Sequence, residues 1–232
     1  MTTRDVTNPP HIYSAPTDAQ GAFKRPASSF RDSIQAGGQF PPEKDRYHLY
    51  VSFACPWATR TLIMHKLKGL EDVISITAVS PRMGTDGWPF APTDSYPGAD
   101  VDPLYQSRSV KDLYLRADPN YSGRFTVPVL WDKKRHTIVN NESSEIIRML
   151  NSEFNALVPE EKAKLDFYPV ELRKKIDEVN EWVYDRINSA FWLYQRFYSH
   201  FGLNFGCSCR WRIQSWFCEN SRGISTSRRT TL

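Results

Sequence analysis

Cys55 sits in the run Val51-Ser52-Phe53-Ala54-Cys55-Pro56-Trp57-Ala58, between a strand-like stretch over 46–51 and a helix-like stretch over 57–68. A cysteine at a strand-to-helix turn, with proline at the first helical position, lies where orphan amide N–H groups and the helix dipole stabilise a thiolate. That thiolate is the reactive form of the residue. The fourth position is Ala58, not a second cysteine, so the motif is half of a Cys-x-x-Cys pair. A single thiolate cannot resolve its own mixed disulfide and needs an external thiol, glutathione first among the candidates. The bland alternative is a buried structural cysteine. The flanking strand, proline and helix favour the reactive one.

Composition narrows the setting for such chemistry. A chain of 232 residues suffices for one large domain or two small ones, with a real core. A net charge of +4 is too mild to argue for nucleic acid. No apolar stretch approaches the roughly 18–20 residues of a membrane span, so no membrane is expected. The N-terminus carries no apolar signal core, which points to a cytoplasmic, reducing compartment. Cys207, Cys209 and Cys218 stand far from Cys55, and Cys207-x-Cys209 has the wrong spacing for a zinc knuckle, so no metal is expected.

The elements that must position Cys55 follow an alternating pattern. Residues 1–42 read as an extension of little regular structure, with Phe23, Phe30 and Phe40 available to pin it to the body. A strand over 46–51 leads into a helix over 56–70 that stops at Gly69. A second strand covers 73–79. The Gly-, Pro- and Asp-rich insertion over 80–110 reads as too polar to be core, and loops of this length are usually functional. A short helix over 111–117 ends at Asp118-Pro119, and strands over 127–131 and 136–139 flank the charged turn 132–135. A helix over 143–151 places Ile146, Ile147 and Leu150 on one face. The order β-α-β-α-β-β-α is that of a thioredoxin fold with its reactive cysteine on the first helix. A charged connector over 159–169 then leads to Ile176, Val179, Val183 and Ile187, spaced as on an amphipathic helix.

Six blocks, in order and at consistent spacing, resemble the glutathionyl-hydroquinone reductases, the xi class of glutathione transferases, related to the omega class. They are 46–52 with Cys55-Pro56-Trp57-Ala58; Leu67-Lys68-Gly69-Leu70; Gly87-Trp88-Pro89-Phe90; Ala117-Asp118-Pro119-Asn120-Tyr121; the run 123–132; and the run 138–147. The resemblance implies an α/β thioredoxin-like N-terminal domain followed by an all-α glutathione transferase C-terminal domain, here incomplete. The expected division is an extension over 1–42, a glutathione-binding domain over 43–155, and a partial helical domain over 156–232. It implies a glutathione-dependent reductase that frees hydroquinones from glutathionyl-hydroquinones through a Cys55–glutathione mixed disulfide, with possible general thiol transfer. The alternative is a catalytically impaired glutathione-binding or interaction protein. Glutathione is then a co-substrate, glutathionyl-quinols are the substrates, and a homodimer is typical of the family.

The same resemblance gives roles to individual residues. Pro128 is cis in thioredoxin-like folds and leaves the Val127 backbone to pair with the glutathione peptide, like an added strand. The plainer reading is an ordinary proline at a strand start. Ser143 is a natural N-cap, with helix N–H groups for the γ-glutamyl carboxylate and Glu142 for its ammonium. Arg124 could clamp a tripeptide carboxylate or stand as a surface charge beside Gly123. Trp88 could anchor packing or close over glutathione, as the matching family tryptophan does, whereas Trp57 is expected to pack under the helix.

The chain also departs from the family pattern. Family members continue into a complete helical domain whose tyrosine lines the hydroquinone pocket and donates the proton. Here Trp192 stands near that tyrosine's place, and 191–232 matches nothing in the pattern. The expectation is an altered reading frame over that tail.

Overall fold

The computed structural model describes residues 28–84 and 86–184. Phe23, Ile187, Trp192 and the three C-terminal cysteines lie outside the described residues. Residues 28–170 form one unit, and the helix that follows belongs to a second.

The first unit is built on a four-stranded sheet in the order β2-β1-β3-β4. β1 (Tyr47–Val51) is central and buried along its whole length, which is why Tyr47-His48-Leu49-Tyr50-Val51 shows no polar alternation. It pairs parallel with β2 (Ser75–Ala78) and antiparallel with β3 (Val129–Asp132), in the register Leu49 opposite Leu130. β4 (Thr137–Asn140) closes a hairpin with β3. The Asp132 carboxylate accepts the amide of Lys134 at 2.8 Å, and His136 takes a φ of 54°. Those contacts make the charged turn. β1, β2 and β3 are shorter than their sequence patterns by one to three residues, whereas β4 keeps its length and is shifted by one.

Helix α1 (Pro56–Leu67) ends as its glycine foretold. Gly69 has a φ of +66°, its amide donates to the Lys66 carbonyl, and the Leu70 amide donates to that of His65 at 3.0 Å. This is a Schellman ending that only a residue at ease with positive φ can make. Lys68 is buried beside it and donates to the Leu165 carbonyl at 2.6 Å, tying the connector turn α4 (Glu160–Ala163) to the domain. Helix α2 (Val110–Ala117) buries Val110, Leu113 and Tyr114, and packs near β4. Helix α3 (Ser143–Ser152) packs on α1. Its buried face is Ile146, Met149 and Leu150, with Ile147 only half-buried. Met149 takes the place expected for Ile147, since residues three and four apart share a helix face better than immediate neighbours.

Two segments read as loop do structural work. The insertion over 80–110 is not excluded from the core: Phe90 is fully buried edge-on to Tyr50, with ring centres 5.7 Å apart. Asp102 is fully buried and accepts from the Tyr50 hydroxyl at 2.8 Å and the amides of Leu104 and Ser107 at 3.1 Å. Burial alone would raise the Asp102 carboxyl, but those bonds outweigh it and hold the group below its usual range. The expectation failed because mean polarity hides one aromatic anchor and one fully bonded carboxylate. Asp100 exchanges bonds with Ala78, so the insertion also covers the open edge of β2. On the opposite edge, Arg31 bridges to Asn140 and the Asp32 amide donates to Val139 beside β4. Phe30 packs on Tyr114 and Tyr121, and Phe40 is buried.

In the second unit, helix α5 (Arg173–Val183) carries Ile176, Val179 and Val183 at the expected spacing. Among the described residues no helix is long and apolar enough to cross a membrane.

Arg46, just before β1, forks onto Asp132 with contacts of 2.6 to 3.1 Å, both side chains being almost fully buried. Burial would raise the Asp132 carboxyl, yet the Arg46 bonds and the turn amides hold it lowered. Removing one partner of a buried pair strands the other, so Arg46→Ala should cost about 3–5 kcal/mol in urea unfolding at neutral pH. A carboxyl lowered by folding contributes stability above its unfolded value of about 4 and loses it as pH falls through the folded value. The gap between wild type and Arg46→Ala should therefore narrow in acid below about pH 4.

Candidate active site

The turn that carries Cys55 is built by the backbone. Cys55 is the N-cap of α1 in an extended conformation (φ −99°, ψ 111°), with Pro56 at the first helical position. Its amide donates to the Ser52 carbonyl at 3.0 Å, and the Ser52 hydroxyl accepts the Ala54 amide at 3.3 Å. The Thr59 amide and hydroxyl both donate to the Cys55 carbonyl at 3.0 Å. The thiol is therefore delivered at the positive end of α1 by a turn with no slack. It is 8% exposed, and its Sγ donates to the Val127 carbonyl at 3.5 Å.

Val127 precedes a cis peptide bond to Pro128. The strip leading to it is held from behind. The buried Tyr114 hydroxyl donates to the Thr126 carbonyl at 3.0 Å and accepts from the Asn141 side chain at 2.9 Å. Two glycines permit close approach along the same strip. A Cβ on Gly123 would lie 2.5 Å from the Tyr121 hydroxyl, which donates to the Arg124 carbonyl at 3.0 Å. Gly87, at a φ of +80°, would drive a Cβ to 2.9 Å from that of Phe125. That contact brings the Trp88 segment against the strip, where the Trp88 carbonyl accepts the Val110 amide at 2.9 Å. Trp88 and Arg124 are both half-buried.

The third part is the start of α3, and here the cap differs from expectation. Glu142, not Ser143, is the N-cap, and its carboxylate accepts from the amide of Ser144 at 3.4 Å and from the hydroxyl of Ser28 at 3.0 Å. The Glu142 amide donates to the Asn140 side chain at 2.7 Å, which holds Glu142 extended and pushes Ser143 into the first helical position. The Ser143 hydroxyl is fully buried and accepts from Arg60 instead. Trp57 is half-buried under the Arg60 guanidinium, 5.0 Å above its ring centre.

The structure thus brings Cys55 and Val127 into contact and ties Glu142 and Ser143 to the cysteine helix through Arg60. Sequence reasoning passed over Arg60 and Tyr114 and gave Tyr121 no role beyond its place in a matching block. Arg60 did leave a signal: a cation in the second turn of a helix sits against the dipole and needs an anion nearby. Among the described residues, no group of three His, Cys, Asp or Glu side chains could hold a metal ion.

Comparison with known proteins agrees with this geometry. Residues 54–153 match the glutathione S-transferase N-terminal domain. The chain is 58% identical over 179 residues to the glutathionyl-hydroquinone reductase YqjG of Escherichia coli, covering 73% of this chain and 53% of that one. It superposes on the xi glutathione transferase of Phanerochaete chrysosporium with a TM-score of 0.70 at 70% identity, over 72% of this chain and 56% of that one. Over the part it shares with them, the chain is similar to the xi-class glutathione transferases. The glutathione-bound structure of the Escherichia coli protein is also similar, with a TM-score of 0.64 at 57% identity, over 69% of this chain and 53% of that one. The chain spans about half the length of the curated relatives it matches. The thioredoxin-like order and the cysteine-type, omega-like xi resemblance are therefore borne out.

Tyr114 supplies a test of how the candidate site is held. Burial pushes its phenol up to about 12. Tyr114→Phe strands the Thr126 carbonyl and the Asn141 amide, and should cost about 1–3 kcal/mol at pH 8. A phenol raised by folding contributes stability that is complete below its unfolded value of about 10 and declines above it. Denaturant titrations should show the gap from Tyr114→Phe shrinking as pH rises from 10 towards 12.

Proposed function

We propose that this chain is a glutathione-dependent reductase acting on glutathionyl-hydroquinones, with general thiol transfer as a secondary activity. The observation that carries the reading is the lone Cys55 at the N-terminus of α1, in contact with the Val127 carbonyl beside Pro128. The relative named a glutathionyl-hydroquinone reductase and the glutathione-bound structure support the substrate class.

In this reading the Val127 main chain pairs with the peptide of glutathione, and Glu142 and Ser143 receive its γ-glutamyl end. Trp88 covers the tripeptide and Arg124 takes a carboxylate. The Cys55 thiolate attacks the sulfur of the glutathionyl-hydroquinone. The S–S bond forms as the aryl C–S bond breaks, and the electron pair leaves on the ring carbon, which takes a proton. Sulfur is oxidised and the ring carbon reduced. A second glutathione thiolate then attacks the mixed disulfide, releasing Cys55 and oxidised glutathione. No metal takes part, and the setting is the reducing cytoplasm, where glutathione is plentiful. A homodimer and the ring-carbon proton donor belong to the longer family pattern and have no residues assigned here.

A second reading is a glutathione-binding protein without turnover. Every residue given a role above other than Cys55 serves the glutathione half of the site, and none is assigned to the quinol. Thermal melting with and without glutathione, followed by reductase and thiol-transfer assays, separates the two. A glutathione-induced shift with no turnover in either assay would favour the binding protein.

Cys55→Ser should abolish both activities while glutathione affinity, measured by calorimetry, stays within a few-fold. Residual turnover above a few per cent of wild type would remove Cys55 as nucleophile. Glu142→Gln deletes the charge expected to meet the ammonium, and should weaken glutathione binding about ten- to a hundredfold, the usual cost of a charge-assisted contact. Unchanged binding in Glu142→Gln would reassign that residue to capping alone.

A further inference from the structure

Arg60 reaches from α1 to the start of α3 and closes a fork on one oxygen. Its Nε and Nη2 donate to the Ser143 hydroxyl at 2.9 and 2.6 Å. A serine hydroxyl has two acceptor lone pairs and one proton to give. With both acceptor positions taken by one guanidinium, only the proton remains to be offered. The same Nη2 lies 3.6 Å from the Glu142 carboxylate. A fixed cation and a fixed anion thus stand side by side at the N-terminus of a ten-residue helix.

We propose that Arg60 is a positioning residue for the α-carboxylate of the γ-glutamyl end of glutathione. Anchored by its fork on the buried Ser143 hydroxyl, the partly exposed guanidinium presents its positive charge at the start of α3, while Glu142 attends the α-ammonium. The pair is complementary to a zwitterion, which neither Ser143 nor Glu142 is by itself. The inference rests on the glutathione reading above and goes beyond it by assigning the carboxylate to a residue on the cysteine helix. It also gives that helix a second duty, since the residue five positions after the nucleophile then orients the far end of the same ligand.

Calorimetric titration of the full chain with three ligands tests this: glutathione, γ-aminobutyryl-cysteinylglycine, which lacks the α-carboxylate, and glutaryl-cysteinylglycine, which lacks the amine. Wild type should prefer glutathione to both analogues. Arg60→Gln should weaken glutathione about tenfold, the scale of one charge-assisted contact, and leave the γ-aminobutyryl analogue within about twofold of wild type. Ser143→Ala should show the same ligand-selective loss, and the double variant should lose little more than either single one. Arg60→Lys, which keeps the charge but not the fork, should fall between. A merely structural role would lower both ligands together.

Equal weakening of the two ligands by Arg60→Gln, or no weakening of either, overturns the proposal. So does a wild type that distinguishes glutathione from the glutaryl analogue but not from the γ-aminobutyryl one, although the glutathione reading then survives. A wild type that binds none of the three overturns both. Should Arg60→Gln fail to fold, Arg60→Lys and Ser143→Ala decide, and unchanged ligand preference in both overturns the proposal.

Discussion

One buried hydroxyl joins the parts of this site. Tyr114 projects from α2, donates to the carbonyl of Thr126 and accepts from the side chain of Asn141. Thr126 adjoins Val127, whose carbonyl meets the cysteine, and Asn141 adjoins Glu142, the cap of α3. A phenol has one proton and can accept as well, so it suits a place where an acceptor and a donor converge. Without it, a carbonyl and an amide would be left buried and unpaired, at a cost comparable to several ordinary contacts. The surrounding rings of Phe30, Tyr121 and Phe125 keep water from competing for those bonds. Two edges of the candidate site are thus set by one atom that touches neither the cysteine nor the helix cap.

Much of this was legible because the chemistry is local. Cys55-Pro56 marks an N-cap and first turn whatever surrounds it, and Gly69 marks a helix end because its φ must be positive. The strand and helix order of a thioredoxin fold follows from such punctuation and from periodicity. What escaped depended on partners distant in sequence. Phe90 and Asp102 lie in a segment whose average polarity says surface, yet both are fully buried because β1 presents Tyr50 to each. Ser143 carries every mark of an N-cap, but Asn140 fixes the amide of Glu142 and moves the cap back one residue. No local rule weighs two adjacent capping residues against a third side chain.

The edges of the sheet show how a small sheet is kept to four strands. β2 is covered by the Asp100 exchange with Ala78, and β4 by the strip from Phe30 to Asp32. Both covering segments are irregular and rich in residues that read as loop. An uncovered edge strand invites pairing with another chain, so irregular covers are an effective defence. They also carry the residues that frame the site: Trp88 lies in the insertion, and Ser28 donates to Glu142. Edge protection and the framing of the candidate site are done by the same stretches of backbone.

The contact between Cys55 and Val127 is one that only a protonated thiol can make as a donor. A thiol can donate to a carbonyl; a thiolate cannot, and would face the oxygen's partial negative charge. Loss of the proton therefore turns a weak attraction into a repulsion and frees the Val127 carbonyl for another donor. The sulfur keeps the positive end of α1 beside it, where the amide groups favour the anion. A peptide N–H arriving at Val127 would take up the released acceptor. In the proposed reading, ionisation of Cys55 and docking of a peptide backbone at Val127 would therefore be coupled through a single carbonyl oxygen.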